Sequence, residues 1–261
     1  MPPIDTLSLR RLLAIVIAAT SVLSVGIAGA EEADPTEPQV AVMKVYLTDI
    51  ARDLSQVWPN NRMVTVICHG HSVPAGYFRT PEIRPFDSYP HLAHALVQRR
   101  YPTGMVEFIR TAKGGEHAEA GAERFDADVI AKNPDVVCID YALNDRSIGL
   151  LRARRAWEQM IRAALNHGAK VILFTPTADL AAREDTPDGS LEAHAEQIRE
   201  LAAEFGVGLV DSHAAFQEYS AREGSIEPLM SQSNHPNRLG HQLVAELLAD
   251  WFITAADHAT P

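Results

Sequence analysis

Five short, predominantly apolar runs alternate along the chain with longer segments whose apolar residues recur every three or four positions. The runs are Met63 to Cys68, Met105 to Ile109, Val136 to Tyr141, Lys170 to Phe174 and Val207 to Val210. They lack the polar alternation of a strand with one wet face, so they predict strands buried on both sides, as in a parallel sheet covered by helices. The intervening segments predict helices over 89–100, 118–131, 150–166, 190–205 and 237–252, and the 39–57 stretch carries apolar residues near helical spacing. Together they predict one three-layer α/β/α domain over 39–255 with a central five-stranded parallel sheet. In open sheets of this kind, ligands bind beyond the carboxyl ends of the strands, so that rim is where chemistry is sought.

Composition narrows the class of ligand. The chain carries a formal net charge of −11 and a pI near 5.4 without a dense basic stripe, which argues against nucleic acid and anionic membrane surfaces as partners. The basic run Arg152, Arg154 and Arg155 falls in a helical pattern and reads as a solvated face. At the N-terminus, Arg10 and Arg11 precede an uncharged apolar stretch, and Ala28-Gly29-Ala30 offers a small-x-small cleavage site. This predicts a signal peptide over 1–30 cleaved after Ala30, a polar tail over 31–38, and a secreted or periplasmic protein without stable membrane insertion once cleaved. The two cysteines, Cys68 and Cys138, lie inside apolar strands and read as buried free thiols, without metal-ligand spacing.

Four polar segments follow strands or precede the last helix, and therefore share one rim. They are Gly70-His71-Ser72-Val73-Pro74-Ala75-Gly76, Lys113-Gly114-Gly115-Glu116, Ala142-Leu143-Asn144-Asp145 and Asn234-His235-Pro236-Asn237. Acyl transfer needs a nucleophilic hydroxyl, a base to take its proton and donors for the developing oxyanion. Ser72, His235 and the Gly115/Asn144 pair supply a candidate for each.

The four segments, in this order, resemble the sequence blocks of the SGNH, or GDSL-like, hydrolases. The resemblance implies the flavodoxin-like SGNH fold and a serine esterase without metal or organic cofactor. It implies Ser72 as nucleophile, His235 as base, and an oxyanion hole from the backbone N–H groups of Ser72 and Gly115 with the Asn144 amide, Gly114 being the alternative glycine. It also implies an ester substrate, with O-acetyl groups on carbohydrate favoured over the lipid esters or thioesters that other members cleave.

Three positions depart from the family pattern. His71 stands where the family has aspartate and Ala142 where it has glycine. Gln232 stands where an acid normally orients the histidine, so the resemblance implies either a Ser72–His235 dyad or an acid from elsewhere in the loop, with Glu227 as a candidate. Two readings from other classes stand beside the esterase. One is a metal-dependent hydrolase using His69 and His71, with His117, His235 and His241 as further imidazoles; the other is a non-catalytic carbohydrate-binding relative. The oligomeric state is not read from the sequence.

Overall fold

A computed structural model describes residues 38–181 and 190–257. The expected signal peptide, most of the tail after it, and residues 182–189 of the loop following the fourth strand lie outside the described residues.

The chain enters through α1 (Met43–Tyr46) and α2 (Thr48–Leu54), so the helical spacing over 39–57 resolves into two short helices. They part at Leu47, which leaves helical geometry (φ −106°, ψ 25°) and is fully buried. Then follow β1 (Met63–Gly70), α3 (Ser72–Ala75), α4 (Tyr89–Arg100), β2 (Met105–Arg110), α5 (Ala118–Glu123), α6 (Phe125–Asp128), β3 (Val136–Asp140), α7 (Ala142–Asp145) and α8 (Leu150–His167). The remainder is β4 (Lys170–Phe174), α9 (Leu191–Phe205), β5 (Gly208–Val210), α10 (Ser212–Glu223), β6 (Met230–Gln232), β7 (His235–Pro236) and α11 (Arg238–Ala256).

Strands β1 to β5 form one parallel sheet in the order β2-β1-β3-β4-β5, the flavodoxin-like arrangement. Side chains alternate between its faces and both faces of β1, β3 and β4 are covered, which explains why these central strands read as largely apolar runs. The edge strand β2 carries Glu107 and exposed positions. Val64, Val66 and Cys68 of β1, Val136 and Cys138 of β3, and Ile172 and Phe174 of β4 pack on one face with α2, α4 and α11. Ile67, Val137, Ile139, Val171 and Leu173 pack on the other with α5, α8 and α9. Cys68 and Cys138 are register partners across β1 and β3, both buried and both free thiols, as expected.

Three differences from the expected elements have local causes. The helix expected over 118–131 breaks at Arg124 (φ −106°, ψ 5°), whose guanidinium binds Glu116, Asp128 and the Tyr141 hydroxyl while Phe125 beside it is buried. Helix α10 has few apolar residues to mark it, although Asp211 caps its start by accepting the Ala214 N–H (3.0 Å) and Gly224 closes it in the left-handed region. The β6–β7 ladder is too short to carry any periodicity. His241 is buried, its Nδ1 accepting the Tyr89 N–H (3.2 Å) where α11 crosses the start of α4.

Candidate active site

The end of β1 allows no side chain at position 70. A Cβ there would lie 2.4 Å from the Asp140 carbonyl and 2.7 Å from Pro74, so glycine alone lets the two strand ends meet. His71 then donates its N–H to the Asp140 carbonyl (3.1 Å), and Ser72 opens the one-turn helix α3. Gly76 (φ 90°) ends that turn, its N–H reaching back to the Ser72 carbonyl (3.1 Å). As the first helical residue, Ser72 has a backbone N–H without an intrahelical acceptor.

His235 reaches Ser72 from the far end of the chain. The β6–β7 hairpin carries it, and the Ser231 hydroxyl donates to the His235 carbonyl (2.9 Å). Asn237 caps α11 by accepting the Leu239 and Gly240 N–H groups, while its own amide donates to Pro228 and Met230. With that segment fixed, His235 Nε2 lies 3.0 Å from Ser72 Oγ, and both residues are buried. The Tyr77 ring flanks the imidazole at 5.7 Å between centroids.

Among the described residues, no acid is hydrogen-bonded to His235. Within those residues its Nδ1 is buried without a partner of proper hydrogen-bond geometry, the Phe78 carbonyl being near enough only to favour the charged ring. Gln232 faces elsewhere: its Oε1 accepts the Thr80 N–H (2.9 Å) and its amide donates to Asn234 (3.2 Å). Glu227 is exposed on a single 3-10 turn. Burial, reinforced by the neighbouring His71, holds the His235 pKa below its ordinary 6.5, so the ring is favoured in its neutral, proton-accepting form. Asp179, ion-paired with Arg146 (2.7 Å), weakly opposes that shift.

The two remaining rim segments are tied to the same frame. The Lys113 N–H donates to the Gly70 carbonyl (2.9 Å), which anchors the Gly114-Gly115 loop to the end of β1. Gly114 lies on the Tyr77 ring, where a Cβ would come within 2.5 Å, and Gly115 occupies the left-handed region (φ 80°). Asn144, on the short helix α7, donates an amide hydrogen to the Glu116 carbonyl (2.9 Å). Beneath it the fully buried Asp145 accepts the Ala118 N–H and the Trp157 indole N–H, each at 2.7 Å, joining α5, α7 and α8. Burial pushes the Asp145 pKa up to about 6 despite those bonds. Asp145→Asn puts an NH2 group against one of the two donors and is expected to cost ~2–3 kcal/mol of stability. Chemical denaturation of variant and wild type checks this.

Other conspicuous histidines serve separate places. His69 binds Thr111 Oγ1 (2.7 Å) and the Gly121 carbonyl (3.1 Å) between the Phe125 and Tyr141 rings, and burial lowers its pKa to about 3. His117 accepts the Ala120 N–H at the start of α5. Among the described residues, no group of three or more histidine, cysteine or acidic side chains is placed to hold a metal ion. Sequence reasoning did not single out Asp140 or Tyr89, which lie behind His71. His71 Nε2 is 3.2 Å from Asp140 Oδ1, and the Tyr89 hydroxyl donates to Asp140 Oδ2 (3.0 Å). An aspartate closing an apolar strand was the available signal.

Comparison with known proteins agrees with this layout. The GDSL-like Lipase/Acylhydrolase family matches residues 68–243, from the end of β1 into α11. The chain belongs to that family. Accordingly it is a carboxylic ester hydrolase. Among solved structures it is similar to a lipase/acylhydrolase from Enterococcus faecalis, with 27% identity, a TM-score of 0.57, and coverage of 72% of this chain and 94% of that one. It is also similar to the acetyl xylan esterase AlAXEase, with 25% identity, a TM-score of 0.60, and coverage of 71% of this chain and 98% of that one. A two-domain esterase active on acetylated mannans shares the fold at 16% identity and a TM-score of 0.66, covering 84% of this chain and 55% of that one. No curated protein matches the chain in sequence.

Proposed function

We propose that this GDSL-like hydrolase removes O-acetyl groups from carbohydrate through an acyl-enzyme on Ser72, with His235 as base. The observation that carries this reading is the 3.0 Å approach of His235 Nε2 to Ser72 Oγ, beside a rim that also holds Gly115 and Asn144. In the first step Ser72 Oγ bonds to the acyl carbon as its proton passes to His235. The carbonyl oxygen, now negative, is met by the N–H groups of Ser72 and Gly115 and the Asn144 amide. The imidazolium returns the proton to the departing sugar oxygen, and a water deprotonated by the same histidine then releases acetate. No metal or organic cofactor enters any step.

The preference for acetylated glycan over lipid draws on structural relatives described as acetyl xylan esterases and as an esterase active on acetylated mannans. The N-terminal pattern from Arg10 to Ala30 supports export, secreted or periplasmic, where such glycans are met. The test is a panel of acetyl, butyryl and octanoyl esters of one alcohol beside acetylated xylo- and manno-oligosaccharides. We expect kcat/KM to fall about tenfold or more from acetyl to butyryl, since an added methylene is rejected at this scale by a small pocket. A rise toward octanoyl identifies a lipase instead.

A further inference from the structure

The nucleophile has a second imidazole beside it. His71 Nδ1 lies 3.4 Å from Ser72 Oγ, on a ring that is 1% exposed, and the same nitrogen accepts the Val73 N–H at 3.2 Å. A nitrogen that accepts from a backbone N–H carries a lone pair, so the neutral ring bears its proton on Nε2. That proton points to Asp140 Oδ1 at 3.2 Å, and the other oxygen of this buried carboxylate is held by Tyr89 (3.0 Å). Ser72 Oγ therefore sits between two histidines. Among the described residues, His71 has a carboxylate bonded behind it and His235 has none.

We infer that His71, oriented and supported by Asp140, is a second catalytic base for Ser72, with its carboxylate on the opposite side of the serine from His235. The inference rests on Ser72 being the nucleophile. As Oγ bonds to the acyl carbon, its proton moves to His71 Nδ1, and the carbonyl electron pair moves to the oxygen. The imidazolium returns the proton to the leaving oxygen as the C–O bond breaks. Taking the proton forfeits the Val73 hydrogen bond, a loss of about 1 kcal/mol. The buried His71–Asp140 contact offsets that loss by becoming an ion pair. A separation of 3.4 Å is long for a bond, but such contacts tighten when substrate fills the site. Asp140 does not touch the reacting atoms and is a positioning residue.

Turnover of a small acetyl ester and the rate of labelling by a fluorophosphonate are compared in Ser72→Ala, His235→Ala, His235→Ala/His71→Asn and His235→Ala/Asp140→Asn. Asparagine at 71 keeps the cap on the Val73 N–H and cannot act as a base. His235→Ala is expected to retain turnover ~10- to 100-fold above Ser72→Ala, since one general base accounts for at most ~10,000-fold. Adding His71→Asn brings it down to the Ser72→Ala level, in labelling as in turnover. Adding Asp140→Asn lowers kcat about tenfold with KM unchanged, a split that a general loss of structure does not give. Melting temperatures show that each variant is folded. If His235→Ala sits at the Ser72→Ala level, or if His71→Asn or Asp140→Asn changes nothing in that background, the second base is ruled out and the serine reading stands. Wild-type turnover in Ser72→Ala overturns the serine reading itself.

Discussion

Replacing Ser72 by alanine is expected to lower kcat on any ester substrate by a factor on the order of 10,000 or more, with little change in fold. The size follows from what the oxygen does in the proposed reaction. Without Oγ no acyl-enzyme forms, and both histidines are left to act on water in a site built to hold a serine oxygen. The donors at Gly115 and Asn144 remain, so a residue of catalysis over the solution reaction survives. The structural cost is small. Ser72 Oγ contacts the His235 and His71 rings, and loss of these contacts is worth about 1 kcal/mol. Stability and activity therefore separate cleanly in this variant. Steady-state kinetics on an acetyl ester, with a thermal melt of the same samples, makes the measurement. Turnover within tenfold of wild type sinks the assignment.

The fold was legible because its central strands are buried on both faces. Val136 to Asp140 and Lys170 to Phe174 contain hardly a polar residue, and such runs have few other stable uses. The structure adds the caps: Ser190, Asn237 and Gly168 stand where the helices α9, α11 and α8 begin or stop. The elements that escaped detection are those whose geometry depends on distant partners. The break at Arg124 is fixed by Glu116 and Tyr141, and the β6–β7 hairpin by a handful of residues around Ser231. In the site, a rule about strand ends sufficed to bring Gly70, Gly115 and Asn144 to one rim. The approach of Ser72 to His235 spans 163 residues of chain, and its expectation drew on family resemblance rather than on periodicity. The engagement of Gln232 with Thr80 and Asn234, and the Asp140 carboxylate behind His71, are side-chain facts that no pattern of hydrophobicity records.

Replacing Asn144 by alanine is expected to lower kcat ~100- to 1,000-fold while KM changes little, the range found when one oxyanion donor is removed. Asn144 has two amide hydrogens. One is committed to the Glu116 carbonyl at 2.9 Å, which fixes the plane of the amide and leaves the second hydrogen for the substrate oxygen. A donor held in this way is already oriented when charge develops, so it stabilises the transition state more than the bound ester. The bland alternative is that Asn144 merely ties α7 to the glycine loop. Asn144→Asp separates the two roles. A carboxylate cannot donate to the Glu116 carbonyl or to an oxyanion, and its charge opposes the one that forms, so activity falls at least as far as with alanine. If Asn144 only anchors the loop, both variants instead raise KM and lower the melting temperature together, and kcat recovers at saturating substrate. A decrease in kcat under tenfold for Asn144→Ala removes it from the oxyanion hole and leaves the backbone N–H groups of Ser72 and Gly115 as its members.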